Sequence, residues 1–187
     1  VTNFTDLPAT GTANFVTVEA GHMDVNTAYV LANVGGGRGG GGGGGAPGSE
    51  HYIYRTHDAG KTWTRIVNGF PSDERTGSQL HVIREDPKQK GLLFAGTETT
   101  VFVSFDDGDH WQSLRQNLPS TSIRDMVFHT DDHMNDLVIG TYGRGFWVLD
   151  DMSPLRDIAA KGQTIASAPA YLFKPGDAIR ARANSNW

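Results

Sequence analysis

Residues 104–111 read SFDDGDHW, and 48 positions earlier residues 56–63 read THDAGKTW. Both fit one pattern, Ser/Thr-x-Asp-x-Gly-x-Thr/His-Trp. Thr56 and Ser104 open it, and the short carboxylate side chains of Asp58 and Asp106 can accept hydrogen bonds from backbone N–H groups of their own turn. Gly60 and Gly108 supply the left-handed conformation that a tight hairpin needs. Thr62 and His110 complete the corner, and Trp63 and Trp111 open the next strand with a ring large enough to cover a join between sheets. The octapeptide is therefore expected to close a hairpin. A calcium loop in DDGD would need alternating ligands and a later Glu between helices, and the chain has neither there.

Working outward, LLFAGTETTVFVSFDDG (92–108) aligns with DLVIGTYGRGFWVLDDM (136–152) at a constant shift of 44 without a gap. That alignment pairs Gly96 with Gly140, Phe102 with Phe146 and Asp106 with Asp150, and upstream sets Val82 on Met126 and Ile83 on Val127. VTVEAGHMDVNTAYVLA (16–32) falls on the middle copy at 64, whereas THDAGKTW falls on it at 48. The difference is the length of GGGRGGGGGGGAPGSE (35–50), which reads as an insertion into one repeat. In the third copy, VLDDMSPL keeps Asp150 and Asp151 but has Met152 in place of the glycine and no tryptophan after it.

Each copy holds four short runs rich in β-branched and aromatic residues, in the middle copy about 79–84, 91–97, 100–105 and 110–115. Four antiparallel strands per 44 to 48 residues make one blade of a β-propeller. The fold class is accordingly all-β, a propeller segment of four-stranded antiparallel blades, about three blades of a larger ring. Residues 1–8 read as the end of a preceding blade, 9–71 as a blade with the insertion at 35–50, 72–119 as a second, 120–157 as a final partial blade, and 158–187 as an exit towards another module. Propellers close with about 4 to 8 blades, so the remaining blades are expected from a longer chain or from other subunits.

These residues resemble the BNR or Asp-box propellers, which include bacterial sialidases, xyloglucan-hydrolysing propellers and sortilin-like sorting receptors. IREDPKQKGLLFAGTETTVFVSFDDGDHWQSLRQNLP with the following IRDMVFHTDDHMNDLVIGTYGRGFWVLDDMSPLRDI is most similar to large exported bacterial proteins labelled glycosyl hydrolase or sortilin-like. The resemblance covers roughly 1–157 and implies a secreted, periplasmic or cell-surface location. It implies a glycan or protein ligand, or a glycoside hydrolase activity. The motif that carries it is a turn, so the activity has to be read from a site.

Strand order puts the first-to-second and third-to-fourth turns on one rim, and the second-to-third loops and blade links on the other, where ligand sites of propellers lie near the channel. The weak catalytic candidates there are Glu98, Tyr142 and Arg144, joined by Asp73, Glu74 and Arg75 in a link. Sialidase chemistry needs an arginine cluster and a tyrosine nucleophile, and paired-carboxylate hydrolysis needs two acids across a cleft; Glu98 has no evident partner. The TYGRG loop also reads as a tight turn. Asp131, Asp132, Asn135 and Asp136 read as a solvated hairpin rather than a cation site.

Seven dispersed histidines lack metal-ligand spacing, so no metal and no cofactor are expected. A net charge of -5 with scattered Lys and Arg offers no phosphate-tracking stripe, so nucleic acid is not an expected partner. No apolar run approaches the roughly 20 residues of a membrane span. The absence of Cys excludes disulfides, thiolate metal sites and a Cys nucleophile. The functional expectation is a non-catalytic recognition scaffold. A hydrolase with acids partly outside the chain, and a structural subunit of a larger assembly, are the alternatives.

Overall fold

The computed structural model describes residues 12–35, 50–71, 79–131 and 134–175. Residues 1–8, the body of the Gly-rich insertion, Asp73, Glu74, Arg75 and Asp132 lie outside them. Three antiparallel sheets follow one another along the chain. The first holds β1 (Thr12–Ala20), β2 (Ala28–Gly35), β3 (Glu50–Thr56) and β4 (Thr64–Arg65). The second holds β5 (Leu80–Glu85), β6 (Leu93–Thr97), β7 (Val101–Ser104) and β8 (Gln112–Ser113). The third has three strands, β9 (Ile123–Thr130), β10 (Asn135–Thr141) and β11 (Phe146–Leu149), and then α1 (Ser153–Ser167). In every sheet, strands consecutive in sequence are neighbours, the meander of a propeller blade.

The fourth strands are shorter than 110–115 suggests. β8 pairs through Phe102↔Ser113 and Val103↔Gln112, Leu114 N–H still reaches the Val101 carbonyl at 2.8 Å, and the chain then turns, Leu118 N–H donating to Arg115 O.

Register also shifts the repeat by single residues. Phe15↔Ala32 and Thr17↔Leu31 in the first sheet match Leu80↔Thr97 and Val82↔Gly96 in the second, a shift of 65 in place of 64. In the third sheet Ile139 pairs with Met126 and Trp147 as Ala95 pairs with Ile83 and Phe102. Ile83 thus corresponds to Met126, not Val127, and Phe102 to Trp147, not Phe146. Both turns flanking β10 are one residue longer than their counterparts, a change that a gap-free alignment spreads over two opposite errors.

The core lies between blades. Tyr29, Leu31, Ile53 and Ile66 of the first pack on Ile83, Leu93, Ala95 and Phe102 of the second. The other face of the second, Val82, Leu92, Phe94, Val101 and Val103, packs on Met126, Leu137 and Ile139 of the third. Covered on both sides, β6 and β7 are buried at every residue, as a sandwiched sheet requires. Burying a side chain such as Phe94 stabilises by roughly 2–3 kcal/mol. The outer faces of the arc are open, with Val18 at 68% and Phe146 at 83% exposure.

α1 stands where the third hairpin would close. In the corrected register Met152 stands where Ala59 and Asp107 stand, and its N–H donates to Asn135 O at 2.7 Å as theirs donate to Asn26 O and Gly91 O. Where Ala59 and Asp107 then take positive φ (57° and 63°), Met152 turns to right-handed helical φ/ψ and buries its side chain completely. The turn begins as in the other copies and is diverted into a helix, with Pro in its first turn as helix starts favour.

Candidate functional site

The two rims differ in chemistry. On the first, each Asp hairpin packs on the first-to-second turn of its own blade, Ala59 N–H donating to Asn26 O at 2.9 Å and Asp107 N–H to Gly91 O at 2.8 Å. Thr56 Oγ1 donates to Asp58 Oδ1 at 2.8 Å and accepts from Gly60 N–H at 3.0 Å. Asp58 also accepts from Thr62 N–H (2.8 Å) and Thr62 Oγ1 (2.7 Å). The second copy repeats this with Ser104, Asp106, Gly108 N–H, His110 N–H and His110 Nδ1, at 2.7 to 2.8 Å. The Thr62 hydroxyl and N–H hold the Asp58 carboxyl down at about 2. Burial pushes Asp106 up, but bonds from His110 and Ser104 outweigh it and leave it below the ordinary value. These carboxylates are occupied by their own corners.

The second aspartate of DDGD faces the neighbouring blade. Asp107 accepts from Tyr29 Oη at 2.6 Å and pairs with His57 Nε2 at 2.8 Å and Arg55 Nη1 at 3.2 Å. Arg55 also reaches Asp109 at 3.1 Å. Burial and Asp107 raise the Tyr29 phenol far above its ordinary range, so it stays a donor. Sequence reading took DDGD as one acidic turn, but Asp106 is bound within its own corner and Asp107 to Tyr29, Arg55 and His57 of the neighbouring blade.

On the opposite rim the second-to-third loops meet the blade links. Glu98 N–H donates to Gln79 O at 2.9 Å, Thr121 N–H to Thr99 O at 3.2 Å, and Tyr142 N–H to Ser122 O at 2.8 Å. β2 ends and β3 begins at this rim, so the Gly-rich insertion is attached there. All three first strands carry a one-residue bulge at the same place, at Val16, His81 and Arg124. A bulge bends the strand and re-aims the extra side chain.

Two of these side chains converge on Glu98. Its Oε2 lies 2.6 Å from His81 Nε2, accepts from Ser122 Oγ at 3.0 Å and is 3.8 Å from Arg124 Nη2. The Arg124 guanidinium also sits 5.1 Å from the centre of the Tyr142 ring, within cation–π reach. Tyr142 is 73% exposed, and the Arg124 and Glu98 side chains are about two-fifths exposed. Glu98 and Tyr142 are thus tied together through Arg124. Arg144 is exposed in the same loop as Tyr142, where its carbonyl accepts from Trp147 Nε1 at 3.2 Å. No carboxylate joins Glu98 in this cluster among the described residues. Deeper along the first strands, Arg84 bridges Glu19 (3.3 Å) and Asp125 (2.7 Å) and donates to Met126 O. Sequence reading missed His81 and Arg124, because a bulge leaves no mark in residue type, and Ser122, which precedes β9 in the link between blades. Among the described residues no group of three His, Cys, Asp or Glu could hold a metal, and no helix is long and apolar enough to cross a membrane.

Residues 51–151, more than half the chain, match the family model Sortilin-Vps10, described as sortilin, neurotensin receptor 3. The chain belongs to the Sortilin-Vps10 family. Its Asp hairpins, rim loops and first-strand bulges fall largely within the matched span. Similar curated proteins are the vacuolar protein sorting/targeting protein 10 of Leptosphaeria maculans, 24% identical over 86 residues, and that of Pyrenophora teres f. teres, 29% identical over 86. These relatives are fungal, not bacterial. Each alignment covers 46% of this chain and 5% of the relative. Among solved structures, the GH74 enzyme of Niastella koreensis is similar at 21% identity with a TM-score of 0.49, covering 73% of this chain and 21% of that one. The GH74 xyloglucanase of Xanthomonas campestris is similar at 16% identity with a TM-score of 0.48, covering 73% and 22%.

Proposed function

We propose that this arc belongs to a recognition propeller of an exported bacterial protein, completed by further blades, and that it binds a glycan or protein ligand on the rim formed by His81, Glu98, Ser122, Arg124 and Tyr142. The observation that carries the reading is the division of labour around Glu98. Its carboxylate anchors two neighbouring blades, while Arg124 and Tyr142 remain open to solvent. An exposed ring beside a positioned guanidinium suits a sugar face or a planar carboxylate. Hydrolysis by paired acids needs a second carboxylate about 5 to 9.5 Å from the first, and Glu98 is already committed to hydrogen bonds. The sorting receptors of the family are consistent with a lumenal or extracellular binding role.

Calorimetric titration with acidic oligosaccharides and with carboxylate-ending peptides tests this. Binding should weaken at least about tenfold in Arg124→Ala and in Tyr142→Ala, the range for an interface anchor, with no turnover of aryl glycosides. Turnover that disappears in Glu98→Gln would replace the reading with that of a glycoside hydrolase.

A further inference from the structure

A groove beside β11, filled by no side chain among the described residues, is the counterpart of the seat that Trp111 fills one blade earlier. Trp111 is 4% exposed. Its indole N–H donates to Ile66 O at 2.9 Å and its backbone N–H to Asn68 O at 2.8 Å, and its ring packs on Phe70, which packs on Phe102. One blade on, the groove is lined by Leu114 to Leu118 together with Ile139, Trp147, Val148 and Leu149. The correspondence runs through the register: Leu114 to Leu118 stand where Ile66 to Phe70 stand, Ile139 where Ala95 stands, and Trp147 where Phe102 stands.

The edge matches as well. In the second blade Val101 O accepts from Leu114 N–H, so Val101 and Val103 turn their backbone groups towards the fourth strand. Their counterparts are Phe146 and Val148. Among the described residues β11 pairs with β10 alone.

We infer that this groove and the β11 edge bind, in trans, an extended polypeptide segment led by a tryptophan, the chemistry of the strand that opens an Asp-box hairpin's outer arm. The peptide adds to β11 as a fourth strand, and its indole enters the groove with Leu114 O as hydrogen-bond acceptor.

The probe is a fluorescently labelled peptide of residues 108–119, GDHWQSLRQNLP, titrated into the full chain and followed by anisotropy. Saturable binding is expected, weakened at least about tenfold when the peptide carries Trp111→Ala. It should be lost in a chain carrying Val148→Pro, which removes an outward N–H at an edge where proline is tolerated. Unchanged far-ultraviolet circular dichroism shows that this variant is folded. Absence of binding to the full chain, or equal binding of the Trp111→Ala peptide, overturns the proposal. So does binding that appears only after Ile179→Asp and Ala181→Asp, which would assign the groove to the chain's own tail. The outcome is independent of the rim ligand, since the probe touches neither Arg124 nor Tyr142.

Discussion

Arg156 of α1 grips the carboxylate of Asp86, 70 residues earlier and in the adjoining blade, with Nε 3.0 Å from both oxygens and Nη2 2.8 Å from Oδ2. Asp86 is fully buried and also accepts Lys88 N–H and Gln89 N–H at 2.8 Å each. The same guanidinium bonds Asn135 Oδ1. One side chain thereby fastens the helix to the first-to-second turns of two blades. Arg156→Ala leaves a buried carboxylate without its cation and is expected to destabilise by about 3–5 kcal/mol, measured by urea unfolding. Arg156→Lys should recover only part of this, since an ammonium cannot match the fork.

Acid should release the first hairpin late. The Asp58 carboxyl lies at about 2, below the ordinary 3.8, through its bonds to Thr62. A depressed carboxyl contributes stability that is present above its unfolded value and is lost as pH falls through the folded one. Asp58→Asn should therefore lower the melting temperature most above pH 4, and its deficit relative to the native chain should fade towards pH 2. A deficit independent of pH would show that the turn relies on shape and not on charge.

Gly108 of the second motif is not interchangeable with the glycines of the TYGRG loop. A Cβ on Gly108, at φ 92°, would lie 2.4 Å from Ile66 Cδ1, whereas one on Gly145, at φ 69°, would meet nothing within 4 Å. Gly145→Ala should cost about 1–2 kcal/mol from backbone conformation alone. Gly108→Ala adds overpacking of about 1–3 kcal/mol. Thermal unfolding of both variants gives the order.

Trp63 and Trp111 hold the same motif position but not the same weight. Trp111 is sealed between two blades, while Trp63 is half-buried against Tyr52 and Tyr54 at the open end of the arc. Trp111→Ala should cost about 3–5 kcal/mol, the value for a fully packed aromatic, and Trp63→Ala distinctly less. Equal losses would mean that the first blade's outer face is covered in solution.

The parts of this fold legible in the sequence are those written in local chemistry. The Ser/Thr-Asp-Gly corner closes within five residues, so the carboxylate's bonds to its own turn could be read from spacing, and the strands of each repeat followed from runs of β-branched and aromatic residues between turn signals. Register was less legible, because a one-residue lengthening of a turn costs little and changes no composition; Phe146 and Trp147 exchange roles on that account alone. The ties between blades were hidden too. Asp107, Asp86 and Arg156 look like ordinary surface charges until their partners, tens of residues away, are placed beside them. Glu98 stood out as a lone rim acid, but its companions His81 and Arg124 reach it only through strand bulges.

Those bulges recur at Val16, His81 and Arg124, one per blade and at one height. Each is unpaired in its ladder, so cross-strand register does not fix its identity as it fixes that of its strand neighbours. An arc of such positions lets a repetitive scaffold acquire an asymmetric rim by independent single substitutions, with Val, His and Arg already giving three adjacent sectors an isopropyl, an imidazole and a guanidinium group.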